Sequence, residues 1–301
     1  MSSSFHGLPT GSLTGRHLRL EYLEEAGPRI VHLSLLRPDG EPGENLMAEV
    51  PDIGFSTPYG TFRLYGGHRL WHSPEAAPRS YIPDNEGCGI DRTENGVLLR
   101  GCVEAATGIR KSIDVALAAD RAAVALTHRL ENCGVWPVEL APWAITQLRL
   151  GGVAVFPQTT TKLDGPGLLP NRSLVLWPYA RLADPRLSLH DDLYLISATP
   201  DAHPVKIGYM NRAGWAAYLV GGVLFIKRWS PCPDSQHVDF GCNCESYCND
   251  RFIEVETVAP LARLEPGQSV THVEEWELHR ADGVDATLEG VRALLARLGL
   301  M

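Results

Sequence analysis

Short runs that alternate apolar and polar residues, each closed by Gly, Pro, Asn or Asp, recur along this chain and restrict it to strands rather than helices. RIVHLSLL at 29–36, VLLR at 97–100, SIDVAL at 112–117 and AVALTHRL at 123–130 carry the pattern. The runs WAAYLV (215–220) and VLFIKRW (223–229) flank Gly221-Gly222. Two glycines supply the positive φ angles of a primed turn, so these runs predict a hairpin. A last strand is expected over 269–279. Helical spacing occurs only over 285–300, where Leu288, Val291, Leu294, Leu295 and Leu298 fall on one face and Asp285 is the expected N-cap.

Many short strands need a second sheet to cover their apolar faces, and at 44% apolar residues the chain can build that core. The expected class is therefore an all-β sandwich with a short C-terminal helix. Residues 1–15, rich in Ser and Gly, are expected to be mobile. Residues 159–192, rich in Pro, Gly and Asp, read as long loops between strands. No composition shift marks a boundary, so 16–301 is expected to be a single domain.

Charge and segment composition narrow the partners. Lys and Arg total 27 against 36 Asp and Glu, a net charge of −9 with both signs interspersed, which argues against binding a phosphate backbone. The longest apolar stretch, 215–226, is broken by Gly221-Gly222 and is too short to span a bilayer. The opening MSSSFHGLPTGSLTG shows no basic stretch followed by an apolar one, and seven cysteines is an odd number. Reduced thiols in the cytoplasm are the expectation, with no nucleic acid and no membrane as partner.

Walker, dinucleotide-glycine, HExxH and GxSxG signatures are absent, which removes most hydride, phosphoryl and zincin chemistry and leaves no cofactor expected. Cys232, Cys242, Cys244 and Cys248, with His237 among them, follow none of the usual zinc spacings, so free thiols and no metal are expected. Polar residues and aromatics concentrate in three places: GGHRLWH (66–72) with 81–85, residues 136–148, and CESY (244–247) with Glu254 and Glu256. A sugar needs such a mixture, because its C–H face stacks on a ring while its hydroxyls require donors and acceptors. Taken singly, each segment reads rather as tryptophans in the core and charges on a solvated face.

The order of segments then carries a resemblance. PVELAPWAITQL (137–148) after Asn132, FIEVET (252–257), LEPG (264–267) and THVEEW (271–276) are similar to the PVNLTNHSYFNL segment, the LETQ strand, the L-x-P-G turn and the last strand of aldose 1-epimerases, the galactose mutarotases. The runs GGHRLWHSPE, LLPNRSLVLWPYARLADPR and GCNCESYCNDRF resemble a bacterial branch of galactose mutarotase-like proteins. The resemblance extends over about residues 16–280 and implies a galactose mutarotase-like β-supersandwich. It also implies general acid–base catalysis at the anomeric centre of a small-molecule sugar.

In that family a glutamate takes the proton of the anomeric hydroxyl and a histidine protonates the ring oxygen. The resemblance puts the glutamate at Glu256, with Glu254 on the same strand face. The family histidine falls on Trp143, which cannot serve as an acid, so His68, His72 or Tyr247 is expected to supply the proton. Arg69, Trp71, Asp84, Trp143, Glu245 and Glu254 are the expected sugar contacts, and Glu256 is expected to face the GGHRLW segment. Lys206 or Arg212 would be needed for a sugar phosphate. Two functions stand side by side: an aldose 1-epimerase-like isomerase, and a carbohydrate-binding or sensing module that needs only the aromatics and hydrogen-bonding groups.

Overall fold

A computed structural model describes residues 4–87 and 89–301. Residues 1–3 of the expected mobile segment, and Cys88, lie outside the described residues. Among the described residues the strands form two antiparallel sheets, one of 12 strands and one of 10. The 12-stranded sheet places Arg29–Leu35, Gly60–Ser73, Val138–Leu148, Ile253–Val258, Cys244–Cys248 and Val205–Tyr209 side by side in that order. The other sheet contains Val153–Pro157, Trp215–Val220, Val223–Trp229, Ser269–Arg280 and Ala123–Asn132 as successive neighbours.

The two sheets face each other across a core that includes Leu70, Leu126, Phe156, Tyr218, Phe225, Val255 and Trp276. Alternation explains why the hairpin strands read as unbroken apolar runs. Ala216, Tyr218 and Phe225 enter the inter-sheet core, while Trp215, Ala217, Leu219, Leu224 and Ile226 meet a helix on the outer face. Both faces are covered, so both are largely apolar, with the buried Lys227 as the exception. The turn is as expected: Gly221 and Gly222 have φ of 56° and 72°.

That helix, Leu288–Arg297, buries Val291, Leu294 and Leu295 against the 10-stranded sheet. Its N-cap is Thr287, whose side chain accepts from the Gly290 N–H, and not Asp285. No helix among the described residues is long and apolar enough to cross a membrane. The N-terminal segment differs from expectation. Leu8–Thr14 is a strand paired with Leu18–Leu23 at the sheet edge, and Gly11 lies so close to Tyr22 that any Cβ there would collide with its ring. Of residues 159–192, expected as long loops, 159–186 run so with the two-residue strand Val175–Leu176 in their course, but Leu187–Leu189 is a strand paired with Leu193–Ser197.

Gly66 and Gly67, at φ of 100° and 69°, mark where the Gly60–Ser73 strand changes partners. Up to Gly66 it pairs with Glu49–Thr57, and from Gly67 onward with Val138–Leu148. A Cβ on either would sit 2.0 Å from a carbonyl oxygen, of Ala48 or of Ile30. Only glycine lets the backbones close there, and this closure sets the register of residues 67–73.

Candidate functional site

That register decides which side chains meet. Trp71 lies opposite Trp143, Arg69 opposite Ile145, and His68 opposite Thr146. On the other side of Val138–Leu148, Ile145 pairs with Glu256 and Gln147 with Glu254, and Glu256 in turn lies opposite Glu245. Successive side chains in a strand point to opposite faces. Arg69, Trp71, Trp143, Ile145, Gln147, Glu245, Glu254 and Glu256 therefore share the outer face of the 12-stranded sheet, and His68, Thr146 and Thr257 point inward to the second sheet.

Over this outer face lies a cavity of about 350 Å³, lined by Arg69, Trp71, Trp143, Gln147, Lys206, Tyr247 and Glu254 of the sheet and by Glu75, Tyr81, Trp177 and Tyr179 of the loops. Its volume suits one small ligand. The Trp71 and Trp143 rings meet edge to face at 5.3 Å, and Tyr81 meets Trp71 at 5.4 Å. The result is a fixed aromatic wall.

Charged groups are interleaved with these rings. The Arg69 guanidinium lies 4.7 Å from the Trp71 ring centroid, and the Lys206 ammonium stands 4.7 Å from Trp143 and 4.6 Å from Trp177. Lys206 Nζ is 2.8 Å from Glu245 and 3.2 Å from Glu256. Burial works against its charge, yet Glu245 and Glu256 keep it protonated well above the usual lysine range. Glu254 accepts a hydrogen bond from Gln147 Nε2 at 2.8 Å and has Arg69 Nη2 at 3.7 Å. Burial, with Glu256 next to it, pushes the Glu254 carboxyl up to about 8 against the pull of Arg69. Burial raises Glu245 as well, opposed by Lys206.

The expected site residues divide into three groups. Arg69, Trp71, Trp143 and Glu254 line the cavity. Glu245 and Glu256 lie on the same face but behind it, only 1% and 0% exposed. Glu256, the expected base, is covered: Trp143 Nε1 donates to its Oε2 at 2.7 Å and Lys206 to the same oxygen at 3.2 Å.

The third group, His68, His72 and Asp84, is elsewhere, which corrects the expectation of a histidine acid. His68 is wholly buried between the sheets, hydrogen-bonded to Thr146 at 2.9 Å and to His128 at 2.7 Å. Burial, and then His128, hold it well below the usual histidine range. His72, four residues along on the same inward face, contacts Glu104 at 3.2 Å. Asp84 forms an ion pair with Arg29 at 2.5 Å and lines a separate cavity. His68 and Arg69 are sequence neighbours in an extended strand, so they could not both have faced Glu256.

Gln147 and Trp177 were missed, and Lys206, named only for a sugar phosphate, was not expected beside Glu245 and Glu256. Gln147 was legible as the alternation partner of Trp143. Lys206 sits in VKIGY, apolar on either side, and such a position reads as a solvated charge until the strand is known to pair with Cys244–Cys248.

Metal ligation has one geometric candidate among the described residues, the buried group His68, His128 and Glu274. Its atoms are already engaged. Lys227 Nζ is 3.0 Å from Glu274, Trp276 Nε1 donates to Glu274 at 2.9 Å, and His128 Nδ1 bonds the His272 carbonyl at 3.0 Å. The cysteine segment gathers no such group among the described residues. Cys242, Cys244 and Cys248 are free and buried, and burial raises their thiols.

No protein-family profile and no curated protein matches the chain. Solved structures do. A galactose mutarotase-like protein from Lactobacillus casei superposes with a TM-score of 0.56 at 12% identity, covering 90% of this chain and 100% of that one. A galactose mutarotase related enzyme from Lactobacillus acidophilus gives 0.55 at 8% identity, covering 91% and 98%. A candidate aldose 1-epimerase from Escherichia coli K12 gives 0.53 at 14% identity, covering 91% and 100%. The fold is thus the galactose mutarotase-like sandwich expected from the order of motifs.

Proposed function

We propose that this protein binds a monosaccharide in the aromatic-walled cavity and interconverts its anomers, with Glu254 as the proton-transferring group. The observation that carries this reading is the position of Glu254: a buried carboxyl at the cavity wall, near Arg69 and on the same sheet face as the tryptophan pair. Below about pH 8 it carries its proton.

A neutral carboxyl can do both halves of the reaction. The anomeric hydroxyl and the ring oxygen are bonded to the same carbon, so the two oxygens of one carboxyl can reach both. As the carboxyl gives its proton to the ring oxygen, the bond from that oxygen to the anomeric carbon breaks. The other carboxyl oxygen takes the hydroxyl proton, and a carbonyl forms. Rotation about the adjacent C–C bond and reversal give the other anomer, with the carboxyl proton restored. This is general acid–base catalysis by a group whose pKa lies close to working pH. No histidine is required, which accords with His68 and His72 facing away. Glu256 contributes indirectly, by keeping Lys206 charged and raising Glu254.

A second reading, a non-catalytic carbohydrate-binding module, is favoured by the closure of Trp143 over Glu256. Two-dimensional exchange NMR on freshly dissolved sugars separates them. Faster anomer exchange for a sugar that binds supports the enzyme, and binding without faster exchange for every sugar that binds supports the module.

A further inference from the structure

Arg69 is the one cavity residue whose charge is left without close partners. It is 2% exposed, its Nε and Nη1 are buried with no hydrogen-bond partner, and its nearest carboxylate oxygen, on Glu254, is 3.7 Å from Nη2. A guanidinium removed from water and left unbonded is costly, so the site is built for a ligand that bonds it. The other cations nearby are committed: Lys206 to Glu245 and Glu256, and Arg29 to Asp84. Glu254 is itself engaged by Gln147. Stacking on Trp71 holds the guanidinium plane in place.

We propose that the ligand is a uronic acid, a sugar whose carboxylate is received by Arg69 while its ring oxygen and anomeric hydroxyl face Glu254. This rests on the sugar reading above and narrows its substrate. One uncommitted guanidinium matches one planar monoanion, which it can bind through two parallel hydrogen bonds from Nη2 and either Nε or Nη1, since Nη2 is no closer than 3.7 Å to Glu254. The spacing fits as well. In a uronate the carboxylate is attached to the ring carbon bonded to the ring oxygen, so carboxylate and ring oxygen are close neighbours, as Arg69 and Glu254 are. A phosphate ester is a poorer match, because its second charge would fall beside Glu254 with no further free cation. Burial and the neighbouring Glu256 keep Glu254 protonated at neutral pH, so it does not cancel Arg69 there.

Isothermal titration calorimetry of the intact protein with galacturonate and glucuronate, each beside its neutral aldose and the 6-phosphate, tests the proposal. The expected result at pH 6.5 is that one uronate binds at least about tenfold more tightly than its matched aldose, the scale of one charge-assisted bond, and more tightly than its phosphate. The preference should shrink at pH 9, where Glu254 ionises beside Arg69, and Glu254→Gln should remove that pH dependence. Arg69→Gln should erase the preference; should that variant fail to fold, uronate against the uncharged uronamide on the unaltered protein gives the same comparison. An aldose binding as tightly as its uronate, a phosphate preferred over the uronate, or a uronamide equal to the uronate overturns the proposal. Neutral aldoses that bind and exchange while uronates do not would remove this inference alone, whereas binding of no sugar at all would remove the sugar reading with it.

Discussion

Trp143 donates its indole N–H to Glu256 at 2.7 Å and thereby seals the carboxylate that strand order and resemblance had put forward as the base. Both residues are buried, and the other Glu256 oxygen has no hydrogen-bond partner. The tryptophan thus acts as a hydrogen-bonding cap as well as a wall of the cavity. Trp143→Phe keeps an aromatic ring but leaves Glu256 with Lys206 as its remaining donor. It is expected to cost about 1–3 kcal/mol in urea unfolding, the range for losing a buried hydrogen bond to a charged group. A loss below about 0.5 kcal/mol would mean that this bond contributes nothing.

Beneath the cavity floor, Lys227 crosses from the second sheet to bond the carbonyls of Ala144 and Val255 at 3.0 and 3.1 Å and Glu274 at 3.0 Å. These carbonyls belong to the strands that carry Trp143 and Glu254, so Lys227 holds the two at a fixed spacing. Lys227→Met leaves Glu274 as a lone buried charge and is expected to destabilise by about 3–5 kcal/mol. Adding Glu274→Gln should recover a large part of that loss. A double variant no more stable than Lys227→Met would contradict the pairing.

The same inter-sheet layer sets an acid limit. Burial lowers His128 to about 4 in the folded chain, so the unfolded chain takes up its proton first as pH falls. The stability from a neutral His128 is therefore present above its unfolded value near pH 6.5 and is lost as pH falls toward 4, by roughly 3 kcal/mol at most. His68 is lowered too and acts in the same direction. Glu274 is also depressed: burial would raise it, but Lys227 together with His272, His128 and His68 outweighs burial, so its contribution disappears at still lower pH. Urea midpoints should fall steadily from pH 7 to 4.5, less steeply in His128→Asn. A midpoint independent of pH over that window would contradict a buried neutral histidine pair.

How much of this was legible in the sequence depended on the range of the interaction. The hairpin around Gly221-Gly222 and the final strand are local patterns, and the helix was displaced only at its cap, where Thr287 rather than Asp285 reaches the Gly290 N–H. Glu254 and Glu256 on one face followed from a period of two. Their depth did not, because exposure is set by Trp143 and Lys206, which reach Glu256 from neighbouring strands far away in sequence. The histidine assignment failed on alternation: His68 and Arg69 adjoin in one extended strand, so with Arg69 on the cavity face His68 turns to the second sheet. Arg29, which takes Asp84, gave no local signal, since its partner lies 55 residues away.

The most direct measurement is the anomer-exchange rate against pH, by exchange NMR on the sugar that binds most tightly, for the unaltered protein and for Glu254→Gln. The account predicts a rate that declines as pH rises through about 8, because the protonated carboxyl of Glu254 is the active form. It also predicts a loss of about 100-fold or more in Glu254→Gln with sugar binding kept. A rate that climbs through pH 8, or a Glu254→Gln protein that exchanges anomers at the original rate, would contradict it.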